Sequence, residues 1–211
     1  QVMFLDLTMP VLDGYETLEA IASEGLQSQV IVVSGDIQPD ARRRVMDLGA
    51  LEFLKKPIDN EQLSVVLERF GLIGRDGGGG SREVAMDVDV WDCYREVSNV
   101  ALGQAANLLA QMLDVFVILP VPNVNHLEAG ELRMALTATE DYDSISAVCQ
   151  GYIGAGIAGE ALLLFNDASF EDMARLMKFK GKLDGKVELE LLMDVSNILI
   201  GACLKGIADQ L

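Results

Sequence analysis

The first seventy residues alternate short, continuous apolar runs with segments of helical periodicity. The apolar runs predict buried strands at Val2–Leu5, Val30–Val33 and Leu51–Leu54. The amphipathic segments that follow them predict helices at Tyr15–Ser23, Pro39–Leu48 and Asn60–Phe70. Apolar strands that alternate with helices indicate an α/β fold, with a parallel sheet covered by helices on both faces.

The later part of the chain has a different pattern, with one long helix predicted at each end. The first is Val90–Leu113, and the second runs from Val187 to the end. Between them the pattern predicts strands near Val115–Val121, Leu132–Thr139, Ile145–Tyr152 and Glu160–Phe165, and a short helix at Phe170–Met177 with Ser169 as its N-cap. This is an α+β arrangement with two long helices packed on a sheet, and the likeness of the helices indicates an internal duplication.

A glycine-rich stretch divides the two patterns. Gly77 to Gly80 and Ser81 form a composition typical of a flexible coil rather than a packed element. The sequence therefore predicts one domain at 1–73, a linker at 74–84 and a second domain at 85–211.

Charge excludes several classes of partner. The chain carries 16 basic and 33 acidic residues, a formal net charge of −17. Nucleic acid and anionic membranes would be repelled, so neither is an expected partner, and the acidity is typical of a cytoplasmic protein. The apolar stretches are interrupted before the ~20 residues that a bilayer span needs, and no signal-peptide pattern opens the sequence.

The cysteines and the histidine provide no obvious site. Cys93, Cys149 and Cys203 are far apart and odd in number, which predicts reduced, buried thiols rather than a zinc site or a disulfide framework. His126 is the only histidine and lies in a loop-like stretch, with nothing near it in sequence to support Ser-His or Cys-His catalysis.

Three polar residues follow the three predicted strands of the first domain. Asp6 follows the first strand, Ser34 ends the second and Lys56 follows the third. Strand ends of a parallel sheet meet at one edge, where ligands usually bind. A carboxylate nucleophile beside a hydroxyl and an ammonium group suits the formation and binding of an aspartyl phosphate.

The motif DLTMPVLDG, which begins at Asp6, resembles the phospho-acceptor motif of two-component receiver domains, and the spacing to Ser34 and to Lys56-Pro57 fits the same family. The resemblance implies that Asp6 is the phospho-acceptor, Ser34 the switch hydroxyl, Phe53 the switch aromatic and Lys56 the phosphate-binding lysine. It implies further that Asp6 and the Thr8 carbonyl are ligands of Mg²⁺, and that a sensor histidine kinase is a partner.

Compared with that family, the sequence begins in what would be the third strand. The resemblance implies a first strand with paired acidic magnesium ligands and a second strand, which would lie before residue 1 and are absent from this sequence. The expectation is a fragment of a longer protein, or a half domain completed by another element. Such a chain would by itself be a poor substrate for phosphorylation on Asp6.

A polar stripe runs along the first long helix of the second domain. Asp92, Glu96 and Asn99 stand at positions i, i+4 and i+7, which places them on one face. Apolar residues populate the other side, so the stripe is predicted to face outward. With Pro122, these residues form the pattern Asp-x3-Glu-x2-Asn-x22-Pro.

This pattern resembles the signature of the CheC family of chemotaxis phosphatases, which includes CheX and the phosphatase part of FliY, and the resemblance covers about 87–211. It implies that Asn99 positions the attacking water and that Glu96 pairs with a receiver lysine. A second copy would place Asp194 and Asn197 in a second catalytic site. There Glu190 replaces the usual Asp or Ser, and Asp194 is one methylene shorter than the usual Glu.

The two resemblances together imply a receiver fused to an aspartyl-phosphate phosphatase. The substrate would be the chain's own receiver or a paralogous one, with Mg²⁺ supplied by the receiver, and a homodimer is a further expectation. The alternative is a non-catalytic scaffold or flagellar-switch binding module regulated by phosphorylation. A DNA-binding regulator is disfavoured because the second domain is acidic and no basic helix-turn-helix follows the linker.

Overall fold

The fold was analysed in a computed structural model, which describes residues 2–72, 89–137, 145–154, 157–166, 169–182 and 184–210. The linker predicted at 74–84 lies outside the described residues, as do residues 138 and 139 at the end of one predicted strand.

The first part of the chain is a parallel sheet with alternating helices. Its strands are β1 (Val2–Leu5), β2 (Gln29–Ser34) and β3 (Glu52–Lys55), in the order β1-β2-β3 with β2 in the centre. Its helices are α1 (Gly14–Ser23), α2 (Pro39–Asp47) and α3 (Asn60–Arg69). The predicted strands and helices of this part are confirmed to within one residue at each end, and β3 lies one residue later than the predicted Leu51–Leu54.

Local chemistry fixes where these helices begin. Asp13 and Glu16 form a capping box at the start of α1, in which each side chain accepts a hydrogen bond from the other's backbone N–H. Asp59 caps α3 by accepting from the Gln62 N–H. Pro39 occupies the first turn of α2, where its missing N–H costs nothing.

Both faces of the sheet are covered, as predicted. Successive β2 residues point to opposite faces, so Val30 and Val32 join one apolar cluster and Ile31 joins the other. The first cluster is completed by Leu5, Leu7, Leu18, Val45 and Ala50, and the second by Leu54 and Val66.

The second part consists of two long helices, a hairpin and two short helices. The elements are α4 (Val90–Leu113), α5 (Ala129–Thr137), β4 (Ile145–Gly154), β5 (Ile157–Asn166), α6 (Phe170–Leu176) and α7 (Gly185–Ala208). Strands β4 and β5 pair antiparallel, with Gln150 opposite Ala161. Helices α4 and α7 pack along each other, and Val148 and Phe165 of the hairpin contact the core that they form with α6.

The backbones of α4 and α7 approach closely at Gly206. A Cβ at that position would lie 2.8 Å from the Ala101 Cα, nearer than real side chains come. The sequence was expected to contain no stretch that could span a bilayer, but by length and composition alone α7 could do so, because it contains few charged residues. In this structure its Leu191, Leu192 and Val195 side chains are buried against α4 and α6.

Two predicted strands are wrong. Val115–Val121 forms no strand, because its backbone at Val117 is paired by the side chain of Gln38 rather than by a neighbouring strand. Leu132–Thr139 instead contributes to α5, where the good helix formers of the segment prevail over its alternation. Glu131 supports the start of α5 by accepting from the Glu128 N–H.

The prediction of buried thiols is also wrong for most of the cysteines. Cys93 and Cys149 are exposed, the first on the outer side of α4 and the second on the hairpin, and Cys203 is half-buried. Burial raises the pKa of the Cys203 thiol. Ser169 occupies the N-cap position of α6 as predicted, but its side chain makes no capping hydrogen bond.

Candidate functional site

The candidate site begins at Asp6, which directly follows β1 at the carboxyl edge of the sheet. The Thr8 N–H donates to Asp6 Oδ1 over 3.2 Å, and this short Asx-type turn fixes the carboxylate. The Asp6 side chain is 21% exposed. The residue predicted to accept a phosphoryl group is therefore reachable from solvent but already oriented by its own loop.

Lys56 brings two carboxylates together. Its Nζ lies 2.7 Å from Asp6 Oδ2 and 2.7 Å from Glu96 Oε1 on α4. Burial acts to lower the pKa of the Lys56 ammonium, but the hydrogen bonds and charges of Asp6 and Glu96 outweigh it, so the pKa is raised. The lysine is held charged between one carboxylate from each part of the molecule.

Ser34 and Phe53 lie on the neighbouring strands. The Ser34 side chain is fully buried at the end of β2, and its Oγ accepts from the Asp36 N–H over 3.0 Å. The Lys56 N–H donates to the Ser34 carbonyl over 2.9 Å, which joins the ends of two strands. Phe53 is half-buried against the apolar cluster around Leu5 and Val32. Asp6, Ser34 and Lys56 thus lie at the carboxyl edge of the sheet. Phe53, the fourth predicted receiver residue, lies within β3.

The polar stripe of α4 does not face outward along its whole length, which corrects the prediction. Asn99 is only 8% exposed, and Glu96 bonds to Lys56. Asp92 and Glu96 remain exposed, and Asp92 pairs with Arg95 over 2.8 Å, so the prediction fails at Asn99 alone. The reason is that the edge of the sheet covers the middle of this helix face, which the helical periodicity alone could not indicate.

The helix and the sheet edge meet backbone to backbone. A Cβ at Gly103 of α4 would lie 2.3 Å from the Gly35 carbonyl carbon and 2.6 Å from the Asp36 nitrogen. A Cβ at Gly35 would lie 2.9 Å from the Val100 Cα. Only glycine at both positions allows this approach.

Gln38 provides a second attachment that the sequence did not reveal. Its side-chain amide donates to the Val117 carbonyl over 2.7 Å and accepts from the Val117 N–H over 3.0 Å. Gln38 is 2% exposed, so both bonds are shielded from water. In the sequence this residue is only a polar position before Pro39, and that position indicates a helix start rather than a contact.

A cavity of about 210 Å³ lies beside Asn99, between α4, the loop after β1 and the segment that follows α4. Its polar lining includes Thr8, Tyr15 and Asp36. The Tyr15 hydroxyl is buried and has no hydrogen-bond partner among the described residues. Burial raises the pKa of the Tyr15 phenol and also that of the Asp36 carboxyl. The cavity offers space for water beside Asn99.

The second copy of the helix motif has no such surroundings. Glu190, Asp194 and Asn197 are all exposed on α7, and the described residues give Asp194 no ion pair. The structure therefore does not bring this copy to a lysine. Pro122 lies half-buried in the irregular segment after α4.

Asp6 and Thr8, the implied metal ligands, offer the oxygen atoms that a hard cation binds, but they are only two residues. Within the described ranges no group of three or more His, Cys, Asp or Glu side chains could hold a metal ion. One carboxylate and one carbonyl are oxygen donors of the kind that Mg²⁺ binds, and this ion commonly takes only one or two carboxylates and completes its shell with water and phosphate.

Residues 1–68 match the family model of the response regulator receiver domain. This part of the chain is therefore a receiver domain with a parallel α/β sheet, of the kind used in two-component signalling.

Individual relatives match the same part. The chain is similar to two-component response regulator ORR41 of Oryza sativa subsp. japonica, with 34% identity over 71 residues, which is 34% of this chain and 56% of the rice protein. It is similar to a protein-glutamate methylesterase/protein-glutamine glutaminase of Halalkalibacterium halodurans, with 43% identity over 58 residues, which is 26% of this chain and 16% of that enzyme.

Among solved structures, chemotaxis protein CheY4 of Vibrio cholerae aligns at 26% identity and a TM-score of 0.30, over 32% of this chain and 58% of that one. The chain spans little more than half the length of the rice regulator, and 29% of a probable C4-dicarboxylate response regulator of Priestia megaterium.

Proposed function

We propose that this chain, whose first 68 residues are a response-regulator receiver domain, carries a CheC-type phosphatase in its second part. The proposed reaction is hydrolysis of an aspartyl phosphate, on Asp6 or on a paralogous receiver. One observation carries the proposal: the Lys56 ammonium lies 2.7 Å from the carboxylates of both Asp6 and Glu96. Helix α4, which was predicted to bind a receiver lysine through Glu96, binds Lys56 through that residue.

The proposed chemistry needs little from the protein except position and charge. Water attacks the phosphorus in line with the Asp6 oxygen, the P–O bond to the carboxylate breaks, and inorganic phosphate leaves. The Asn99 amide can accept from that water and donate to it, and its neutrality avoids repelling the phosphoryl group. The cavity beside Asn99 supports this role because it can hold water at that point.

The Glu96–Lys56 pair would fix the helix above the phosphoryl group. Glu96 and Asn99 are three residues apart, about 4.5 Å along the helix axis. In this proposal, anchoring Glu96 on the lysine holds Asn99 one helical turn from the anchored residue, on the side of the helix that meets the sheet edge. Its burial under the sheet edge restricts its rotamers further, which supports a positioning role.

Other parts of the proposal concern partners and boundaries. Asp6 and the Thr8 carbonyl would hold Mg²⁺, which when bound would neutralise phosphoryl charge. A sensor histidine kinase is the proposed source of the phosphoryl group and the cytoplasm the proposed compartment.

The proposed domain boundaries remain 1–73 for the receiver, 74–84 for the linker and 85–211 for the phosphatase domain. Formation of a homodimer is an additional proposal. Asp194 and Asn197 are proposed only as a degenerate second copy.

Phosphate release from the intact chain tests the function. The chain is phosphorylated with acetyl phosphate and Mg²⁺, freed of donor, and followed by release of inorganic phosphate, with Asp6→Asn as the blank. Asn99→Ala should slow release about a hundredfold, as expected for loss of a preorganised polar group. Asn107→Ala is the matched control, because Asn107 is equally buried on the same helix about two turns further along.

Each contrary result has a definite meaning. Absence of aspartyl phosphate on both the wild-type chain and Asn99→Ala would overturn Asp6 of this chain as the substrate and leave a paralogous receiver as the one to test. Equal release from the wild type and Asn99→Ala would overturn the phosphatase and favour a non-catalytic module that docks on the receiver.

A further inference from the structure

The contact between Gly35 and Gly103 is tighter than any side chain allows. Gly35 directly follows the buried hydroxyl of Ser34, and Gly103 lies one helical turn beyond Asn99. A Cβ added at Gly103 would lie 2.4 Å from the Gly35 carbonyl oxygen. The atoms that a Cβ at Gly103 would meet belong to the backbone of Gly35 and Asp36, which cannot rotate away as the end of a flexible side chain could.

We propose that this glycine pair is a steric filter that matches the α4 helix to its own receiver. The filter would accept a receiver only where glycine follows the strand-end hydroxyl and would reject one with any larger residue there. This inference rests on the proposed function, because it states which aspartyl phosphate Asn99 can reach.

The size of the overlap explains why one methyl group suffices. Carbon atoms in van der Waals contact lie about 3.5–4.0 Å apart, so a Cβ at 2.3 Å forces the helix outward by more than an ångström. Catalytic geometry is sensitive to displacements of about 1 Å. The same shift would lengthen the Glu96–Lys56 contact, which is now 2.7 Å.

Gln38 adds a second requirement to the same interface. Its buried amide satisfies both backbone groups of Val117, which lies beyond the end of α4. A receiver without this amide would leave a buried N–H and C=O unpaired. Own-receiver docking thus depends on two points of contact: Gly35 with Gly103, and the Gln38 side chain with the backbone of residue 117.

The duplicated motif supplies a matched control for the filter. Val97-Ser98-Asn99 is followed by Gly103, and Val195-Ser196-Asn197 is followed at the same spacing by Gly201. A Cβ at Gly201 would meet nothing within 4 Å. Gly103→Ala and Gly201→Ala are therefore the same change, in the same local sequence, with and without an opposing backbone.

Hydrogen exchange of the Val117 amide reports docking without reference to catalysis. In the intact chain, Gly103→Ala should accelerate this exchange at least tenfold and slow phosphate release, and Gly35→Ala should do the same from the other side. Gly201→Ala should change neither. Helix content by circular dichroism confirms that the variants fold. Unchanged Val117 exchange and unchanged release in Gly103→Ala would overturn the filter.

A mixing experiment tests whether the partner is the chain's own receiver. Phosphorylated Asn99→Ala chain is mixed with Asp6→Asn chain, which keeps Asn99 but cannot be phosphorylated. At equal micromolar concentrations, the Asp6→Asn chain should not accelerate phosphate release from the Asn99→Ala chain, because each receiver is already covered by its own α4. Acceleration would overturn the own-receiver assignment.

The two proposals fail separately. If Gly103→Ala exposes Val117 while Asn99→Ala releases phosphate normally, the phosphatase is wrong and the docking filter stands. If Asn99→Ala slows release while Gly103→Ala leaves exchange and release unchanged, the filter is wrong and the phosphatase stands.

Discussion

Helices α4 and α7 are both 24 residues long and carry the same Val-Ser-Asn-x3-Gly sequence, yet they have opposite surroundings. On α4 the asparagine is buried and the acidic residue before it binds Lys56. On α7 the equivalent Asn197 and Asp194 are exposed. A sequence motif therefore predicts which residues share a face of a helix. Whether those residues can bind a lysine and position water depends on what packs against that face.

The difference between α4 and α7 is tested first by replacing each asparagine in turn. Asn99→Ala should slow phosphate release about a hundredfold, since the buried amide is proposed to position water. Asn197→Ala should leave release within twofold, because Asn197 is exposed and, among the described residues, no receiver lysine binds the acidic residue before it. Rates of release from the phosphorylated chain measure both. Equal slowing by the two substitutions would make the copies equivalent and refute the contrast.

The glycines of α7 should separate packing from helix propensity. Gly206→Ala should destabilise the chain by about 1–3 kcal/mol, because the new methyl overlaps the Ala101 Cα at 2.8 Å. Gly201→Ala should instead stabilise it by about 0.5–1 kcal/mol, since it only improves helix propensity. Urea unfolding followed by circular dichroism gives both values. A stabilising Gly206→Ala would contradict the close approach of α4 and α7.

The acidic residues allow a spectroscopic version of the comparison. Glu96→Gln removes one of the two carboxylates that raise the pKa of Lys56, so this pKa should fall. Asp194→Asn, which is remote from the lysine, should leave it unchanged. Titration of the Lys56 ammonium by NMR with labelled lysine is the measurement. No difference between the variants would mean that Glu96 does not bind Lys56 in solution.

The smallest expected effect is the pH dependence of the same contact. Because the folded state raises the pKa of Lys56, its contribution to stability is complete below the ordinary lysine value of about 10.4 and is lost as pH rises through the raised value. As the pH rises above about 10.4, the melting temperature of the wild type should therefore fall more steeply than that of Glu96→Gln. Parallel curves would contradict the linkage.

Much of the receiver part could be predicted because its signals are local. Apolar runs such as Val30–Val33 need only their own residues to indicate a buried strand, and Asp6, Ser34 and Lys56 converge once the sheet is parallel. The pairing of Glu96 with a receiver lysine was expected from the family resemblance, and the structure brings those atoms together. Whether the pair serves hydrolysis stays a prediction.

The remaining features depend on contacts between distant segments. Gln38 and Val117 are 79 positions apart, and nothing in either neighbourhood predicts their pairing. The same pairing explains why Val115–Val121 is not a strand. The burial of Asn99 could not be predicted from helical periodicity, because the covering surface comes from the other part of the chain.

The Gln38 contact has a consequence for how this protein can vary. The amide binds the N–H and C=O of residue 117, which nearly every amino acid supplies, and so it places little demand on the side chain there. Proline alone lacks the donor. The contact between the receiver and the second part can therefore tolerate many different residues at position 117, whereas a substitution of Gln38 would remove both hydrogen bonds.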